Sequence, residues 1–170
     1  MAEELIDEVD SKGNVIATHP RSYLKERMFL HRVSLIIPMA KGKKILLSKR
    51  AEDKHPYPGM WCCAVGGKVR SEETDEDAAL REMREEIGNT FPIEKVSSFV
   101  YDEKEYKGIF SIFTTTVPVS PEELELDPEE IQYSKEFEIR EVLHMLKENP
   151  SQFAPTFICA IKEFAKHFDK

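Results

Sequence analysis

Three glutamates lie close together in one short stretch of the chain: Glu82, Glu85 and Glu86. On an α-helix, at about 100° per residue, these positions fall within an arc of roughly 100° on one side. Like charges at the spacing of Glu82 and Glu86 repel one another, and a bound cation relieves that repulsion. Hard divalent ions such as Mg2+ prefer oxygen ligands and bind phosphates beside one or two carboxylates. The stretch has two interpretations: a metal site for a phosphate compound, or a solvated acidic helix face.

The neighbouring residues predict the helix that carries these glutamates. Thr74 is a favourable N-cap, and Asp77, three residues later, completes a variant of the capping box. Gly88 stands where a left-handed residue commonly ends a helix. The bulky apolar side chains share one side of this helix: Leu80, Met83 and Ile87. We therefore predict that one face is buried and that the other carries the carboxylates.

A wider pattern favours the metal site over the solvated face. The stretch matches G-x5-E-x7-R-E-U-x-E-E-x-G-U, in which U is a bulky apolar residue. The matching residues are Gly67, Glu73, Arg81, Glu82, Met83, Glu85, Glu86 and Gly88. This pattern resembles the Nudix box of the Nudix hydrolase superfamily. Asn89 stands where an aliphatic residue is usual, a departure that concerns the packing of the helix end.

The resemblance implies a metal-dependent hydrolase that acts on a nucleoside diphosphate linked to another group. Water would attack phosphorus, and the cofactor would be Mg2+ or Mn2+. The implied metal ligands are the Gly67 carbonyl and the side chains of Glu82, Glu85 and Glu86. Glu73 and Arg81 complete the implied catalytic set, because they would orient the helix and the ligand carboxylates.

The resemblance leaves the proton acceptor open. Glu82 or Glu86 is one choice, acting through a bound water. In other members of the family a glutamate from a late loop serves, and in this chain Glu129 or Glu130 stands in that region. The aromatic residue that usually follows is replaced by Glu136.

Four residues outside the acidic cluster are candidates for contact with the substrate. Arg50 and Lys54 flank a proline-rich loop over 51–61 and are suited to phosphate binding. Lys68 directly follows the first glycine of the pattern. Trp61 is suited to stacking on a base or another ring. A packing role is the alternative for Trp61, and a solvated charge is the alternative for Arg50 and Lys54.

Two further interpretations differ from hydrolysis. The segments that flank the box are similar to the Nudix branch that includes isopentenyl diphosphate isomerase. That enzyme needs a cysteine and a histidine where this chain has Gly66 and Lys68. His31 matches one of its metal histidines, but Leu24 stands at the upstream partner position. Its later acidic pair is also replaced, by Tyr106 and Gly108.

The third interpretation is a Nudix-fold nucleotide-binding module without turnover. Such modules typically lose carboxylates of the box, and this chain keeps them all. The complete box favours hydrolysis over both alternatives. The identity of the substrate stays open.

Composition and charge narrow the class of partner. The formal net charge of −8 argues against a nucleic-acid polymer, whereas a bound metal can still attract a small anionic substrate. At 170 residues and 41% hydrophobic content, we expect one domain over 1–170. No apolar run is long enough for a membrane, and no signal peptide or disulfide framework is evident, so we expect a cytoplasmic protein. A homodimer is the assembly to test first.

The hydrophobic pattern and turn residues predict an α/β fold. The predicted segments are a hairpin over 4–18, a short helix over 21–29, paired strands over 31–39 and 45–50, a buried strand over 62–65, strands over 95–106 and 108–119, a mobile loop over 119–134, a strand over 137–139, and helices over 140–149 and 155–168. This order indicates an α/β/α sandwich. The resemblance implies the Nudix fold, with a mixed central sheet and the box as a loop–helix–loop.

Overall fold

The chain forms nine strands and four α-helices within residues 2–168, the part that the computed structural model describes. In chain order these elements are β1 (Leu5–Val9), β2 (Val15–Pro20), α1 (Tyr23–Glu26), β3 (His31–Ile36), β4 (Lys44–Arg50), β5 (Trp61–Cys63), β6 (Val65–Lys68), α2 (Asp75–Ile87), β7 (Ile93–Asp102), β8 (Lys107–Thr115), β9 (Ile131–Glu138), α3 (Ile139–Glu148) and α4 (Pro155–Phe168). The helix predicted at the acidic cluster is α2.

A mixed sheet of four strands, in the spatial order β6-β3-β8-β7, holds the centre of the fold. β3 and β8 run parallel, while β6 and β7 are antiparallel to their neighbours. The parallel pair is far apart in sequence, as a crossover connection requires. The predicted mixed sheet is confirmed.

The predicted hairpin of β3 and β4 is wrong. β4 belongs to a second, antiparallel sheet with the order β5-β4-β9. Both edges of β3 are already occupied by β6 and β8, so no edge remains for β4. The chain does reverse direction between them, but the pairing is limited to a bridge between Met39 and Ile45.

Helices cover both faces of the central sheet. Successive residues of a strand point to opposite faces. Ile36 and Phe113 accordingly pack in one core with Met83 of α2, whereas Ile37 and Ile112 pack in another core with Ile161 of α4. The predicted α/β/α sandwich is confirmed.

The N-terminal hairpin is present as β1 and β2. The short helix after it is a single turn, shorter than predicted. The loop predicted over 119–134 is also shorter, because β9 begins at Ile131. No helix in residues 2–168 is long and apolar enough to span a membrane.

Candidate active site

Helix α2 begins and ends as its sequence predicts. The Asp77 backbone N–H donates to Thr74 Oγ1 at 3.0 Å, and the Thr74 N–H donates to Asp77 Oδ2 at 3.3 Å, which closes the capping box. Gly88 ends the helix with a φ of 77°, in the left-handed region that favours glycine. The ends of α2 are therefore set by local sequence.

The face on which α2 carries its carboxylates differs from the prediction. Glu82 and Glu86 are directed toward the protein interior: the Glu82 side chain is 12% exposed and Glu86 is 9% exposed. Glu85 is 51% exposed. Met83 and Ile87 are buried as predicted, but Ala78 and Ala79, rather than Leu80, complete the buried side. The solvated-face interpretation holds for Glu85 and fails for the other two glutamates.

The two buried glutamates lie against the backbone of β6. The Gly66 N–H donates to Glu86 Oε2 at 3.4 Å. A Cβ atom on Gly67 would overlap the Glu82 side chain, so only glycine allows this close approach of helix and strand. Gly67, the first residue of the pattern, is thus explained by its contact with Glu82.

Arg81 links the candidate catalytic residues to one another. Its Nε and Nη2 atoms donate to the two carboxylate oxygens of Glu73 at 2.7 and 2.9 Å. Nη1 donates to Glu82 Oε1 at 2.6 Å and Nη2 donates to the Lys68 carbonyl at 3.1 Å. A two-pronged pair of this kind fixes orientation as well as charge. Burial alone would raise the pKa of Glu73, but hydrogen bonds from Arg81 and from the Arg70 backbone hold it below its usual value.

The buried glutamates have too little positive charge around them. Burial raises the pKa of Glu86 well above its usual value, and the charges of Glu82 and Glu130 raise it further. Burial also raises the pKa of Glu82, against the opposing effect of Arg81. Because the charged form of each group is disfavoured, a cation bound between them would be attracted strongly.

The glutamates do not form a converged ligand set. Within residues 2–168, no three acidic, histidine or cysteine side chains already surround a common point that would hold a metal. Glu85 lies 3.5 Å from Arg81 Nη1 and is directed to solvent. A metal ion that uses all three glutamates therefore requires Glu85 to rotate away from Arg81.

A cleft of about 260 Å3 opens in front of the carboxylates. Gly66, Gly67, Glu82, Glu85 and Glu86 line it, together with four cationic side chains: Arg21, Arg50, Lys54 and Lys68. Arg21 and Lys54 are already paired, with Glu4 and Glu130 at 2.8 and 2.7 Å.

Arg50 and Lys68 form no ion pair within the described part of the chain. The Nε atom of Arg50 is buried and has no hydrogen-bond partner in residues 2–168. Burial, followed by the nearby charges of Arg21 and Lys54, lowers the pKa of Lys68 to about 8. The cleft therefore contains two carboxylates, of Glu82 and Glu86, whose charged forms are disfavoured. It also contains two cationic side chains, of Arg50 and Lys68, that form no ion pair in residues 2–168.

The structure separates the remaining predicted site residues. Trp61 is 8% exposed and packs edge-on against Tyr133 and Phe137 at 5.5 and 5.2 Å, and it does not line the cleft. The packing role that we weighed for Trp61 fits this position, and the stacking role does not. Of the two candidate loop bases, Glu130 lines the cleft, whereas Glu129 is exposed outside it.

Lys68 and Tyr106, two of the positions at which an isomerase would need metal ligands, line the cleft, and His31 lies next to Tyr106. Burial lowers the pKa of His31 to about 4, and its Nε2 atom lies 3.2 Å from the Tyr106 hydroxyl. Lys68 Nζ lies 5.4 Å from the centre of the Tyr106 ring. An ammonium group and a phenol stand where a histidine and acidic ligands would be needed, so these residues do not suit a cation.

Several cleft residues were missed in the sequence. Arg21, at the end of the N-terminal hairpin, Tyr57, in the loop before β5, and Phe110, on β8, all line the cleft. They come from segments far apart in the chain, and no local motif marks them. Of these three residues, Tyr57 alone could have been found in the sequence. It stands between two prolines in the loop over 51–61, which also contains the candidate Lys54.

Comparisons with known proteins identify the family of the chain. The model of the family described as NUDIX domain matches residues 29–157. An uncharacterized Nudix hydrolase of Pseudomonas aeruginosa is 31% identical over 133 residues, which are 78% of this chain and 77% of the relative. An isopentenyl-diphosphate Delta-isomerase of Serratia proteamaculans is 25% identical over 169 residues, which are 95% of this chain and 91% of the relative.

Solved structures show the same fold. The crystal structure of a Deinococcus radiodurans protein superposes with a TM-score of 0.73 at 20% identity, over 85% of this chain and 90% of that one. The NUDIX domain of Shewanella oneidensis NrtR, solved in complex with ADP ribose, superposes with a TM-score of 0.63 at 16% identity. The superposition covers 88% of this chain and 99% of that one. The chain belongs to the Nudix family and is a Nudix hydrolase, the class of enzyme that cleaves diphosphate bonds.

Proposed function

We propose that this chain hydrolyses a nucleoside diphosphate linked to another group, with Mg2+ or Mn2+ as cofactor. One observation carries the proposal: the buried Glu86, and Glu82, whose one cation partner in residues 2–168 is Arg81, share a cleft with Arg50 and Lys68, which form no ion pair in those residues. A metal diphosphate would satisfy both groups at once. Its metal would lie at the carboxylates and its phosphate oxygens at the cations.

The residues present fit a divalent ion. The Gly67 carbonyl, Glu82, Glu85 and Glu86 are all oxygen donors, as Mg2+ and Mn2+ prefer. The glycine at position 67 also fits a metal site. Because it has no Cβ, its backbone can lie directly against the Glu82 side chain. When bound, the ion would neutralise charge on the diphosphate and lower the pKa of a water molecule.

The chain's own residues would position the reactants. Arg50 and Lys68 would bind phosphate oxygens directly, and Lys54 would do so after release from Glu130, 2.7 Å away. Arg81 and Glu73 would hold Glu82 in place through their paired hydrogen bonds. Positioning and fixed charge would supply most of the rate enhancement.

The proton of the attacking water would pass to a carboxylate as the bond between phosphorus and its bridging oxygen breaks. Glu82, Glu86 and Glu130 all line the cleft and are candidates for this role. Glu86 is the best suited by environment, since burial and the charges of Glu82 and Glu130 raise its pKa well above the usual value. Glu129, exposed outside the cleft, is the weakest candidate.

The nucleoside would occupy the part of the cleft away from the carboxylates. Tyr57, half-buried in the cleft lining, is the ring that we propose for stacking on a base in place of Trp61. The NUDIX domain of NrtR, bound to ADP ribose in its crystal structure, supports a nucleotide derivative as the class of ligand.

The isomerase and the binding module are the competing proposals. The isomerase is supported by the similarity that spans 95% of the chain. It is disfavoured by Lys68 and Tyr106, which line the cleft where the isomerase would need metal ligands. The binding module is disfavoured because Glu82, Glu85, Glu86 and Arg81 are all present.

A product assay separates the three proposals. The purified chain would be incubated with Mg2+ or Mn2+ and a panel of dNTPs, ADP-ribose, dinucleotides, CoA and isoprenyl diphosphates, and phosphate-containing products would be identified by mass spectrometry. We expect hydrolysis of at least one nucleotide derivative. It should be lost in Glu86→Gln and kept in the control Glu76→Gln, an exposed position on the same helix. Isomerisation of an isoprenyl diphosphate, or binding without turnover, would overturn the proposal.

A further inference from the structure

Asp75, in the first turn of α2, is held by side chains from two strands of the central sheet. Ser111 Oγ on β8 donates to Asp75 Oδ2 at 2.6 Å, and Arg32 Nη1 on β3 donates to Asp75 Oδ1 at 3.2 Å. Ser34 Oγ on β3 donates to the Asp75 carbonyl at 2.7 Å. Neither the helix cap nor the Nudix pattern uses these contacts.

Arg32 extends the same network beyond α2. Its Nη1 atom also donates to the Glu73 carbonyl at 3.2 Å, and its Nη2 atom lies 3.6 Å from the buried Asp7 on β1. The Arg32 side chain is 20% exposed and that of Asp75 is 27% exposed, so the charges of this network are partly shielded from water. The network joins the N-terminal hairpin, the central sheet and the start of α2.

The network lies on the same stripe of α2 as the buried glutamates. Asp75, Glu82 and Glu86 are separated by seven and four residues. At about 100° per residue they fall within an arc of roughly 40°. At about 1.5 Å per residue, Asp75 precedes Glu82 by about 10 Å along the helix axis. A tilt or shift of the first turn would therefore move both carboxylates relative to the sheet.

Small residues bring α2 and the sheet into close contact next to this network. Ala78 and Ala79, fully buried between the network and Glu82, let the helix approach the sheet closely. Ser34, which binds Asp75, pairs across the sheet with Gly67, which contacts Glu82. The residue that binds Asp75 and the residue that contacts Glu82 are therefore direct neighbours across strands β3 and β6.

We propose that Asp75, with Arg32 and Ser111, positions Glu82 and Glu86 for metal binding by fixing the first turn of α2 on the sheet. The proposal rests on the proposed function, since it assumes that those glutamates bind a divalent ion. Asp75, Arg32 and Ser111 are positioning residues, because they act through the helix and do not line the cleft.

Titration calorimetry with Mn2+ alone tests the proposal. Asp75→Asn removes one charge from the first turn, and Glu76→Gln removes one charge from the same turn at an exposed position, so the pair is matched. We expect the Mn2+ dissociation constant to rise roughly tenfold or more in Asp75→Asn, as for other residues that support metal ligands. It should stay within about twofold in Glu76→Gln.

Two further variants separate positioning from stability. Ser111→Ala deletes a neutral contact of Asp75 and should also weaken Mn2+ binding. Thr74→Ala deletes the helix cap, so it should lower the melting temperature and leave Mn2+ binding unchanged. Equal loss of Mn2+ affinity in Thr74→Ala and Ser111→Ala would mean that helix stability alone matters, and it would overturn the proposal.

The outcomes also separate this proposal from the proposed function. If the wild-type chain binds Mn2+ and cleaves a diphosphate while Asp75→Asn matches Glu76→Gln, the positioning role alone fails. If the wild-type chain binds no Mn2+, the metal-dependent function fails and the positioning role with it.

Discussion

Both faces of the central sheet have an apolar core, but only the face toward α2 also packs glutamates against a strand. On the face toward α4, large apolar residues such as Phe157, Ile161 and Phe164 fill the core. The face toward α2 also has an apolar core, around Ile36, Met83 and Phe113, but beside it small residues bring the helix close to the strands, and Glu82 and Glu86 complete the contact. The first face gains stability from burial of apolar area. The second gives up part of that gain and places charged groups beside a cleft.

This comparison predicts that removing Glu86 has opposite effects on activity and stability. If the metal supplies several kcal/mol of transition-state stabilisation, Glu86→Gln should lower kcat/KM roughly 100- to 1000-fold. The same change should raise the melting temperature at pH 7 without divalent ions, because it removes a buried carboxylate that has no cation partner in residues 2–168.

The sign of this stability effect follows from the pKa of Glu86. The pKa of the Glu86 carboxyl is raised in the folded state. Its contribution to the free energy of unfolding is therefore fully present below the pKa of the unfolded chain. That contribution is lost as the pH rises through the pKa of the folded state. The gain in Glu86→Gln should therefore disappear as the pH falls to about 4, near the unfolded pKa. Thermal melts of both proteins from pH 4 to pH 8 measure this, and a lower melting temperature in the variant at pH 7 would contradict it.

The α4 face should respond to truncation in the opposite way. Ile161→Ala removes a fully buried side chain and should cost about 2–5 kcal/mol in the free energy of unfolding. The Mn2+ affinity of the folded protein should stay unchanged, because Ile161 does not line the cleft. Urea denaturation and Mn2+ titration check the two halves of this prediction. Lys162→Ala, at the exposed neighbouring position, is the control. A loss of Mn2+ affinity in Ile161→Ala as large as that in Glu86→Gln would contradict the difference between the two faces.

His31 should make the folded state sensitive to acid. Its imidazole is fully buried and has a pKa of about 4, well below the unfolded value of about 6.5. The unfolded chain therefore binds the proton first. Stability is present above about pH 6.5 and is lost as the pH falls toward 4, by up to about 3 kcal/mol.

Replacing His31 with Gln removes this titration. The free energy of unfolding should then change less between pH 6.5 and pH 4 than in the wild-type chain, whatever the absolute stability of the variant. Parallel urea denaturation at several pH values measures the difference. Identical pH dependence in the two proteins would contradict a buried neutral imidazole.

Local sequence predicted the parts of the site that local interactions determine. Thr74, Asp77 and Gly88 specify where α2 begins and ends, because each acts within one helix turn. The spacing of Glu82 and Glu86 predicted that they share one side of the helix. It did not predict that this side faces the sheet, because that depends on the close approach at Gly67 and on the hydrogen bond from the Gly66 N–H.

Long-range pairing limited the remaining predictions. Trp61 was a candidate for stacking because of its large ring, but it packs in the core against Tyr133 and Phe137, more than seventy residues later. The hairpin of β3 and β4 failed for the same reason, since β8 joins β3 from far along the chain. Arg21 was missed because the N-terminal hairpin reaches the cleft only in three dimensions.

The central claim is that the face toward α2 holds a divalent ion at Glu82 and Glu86. Electron paramagnetic resonance of free Mn2+, measured at pH 7.5 as protein is added, tests it most directly. We expect the wild-type chain and Glu76→Gln to deplete the free-ion signal equally, and Glu82→Gln to bind at least about tenfold more weakly. Equal binding by Glu82→Gln, or no depletion by the wild-type chain, would contradict the claim.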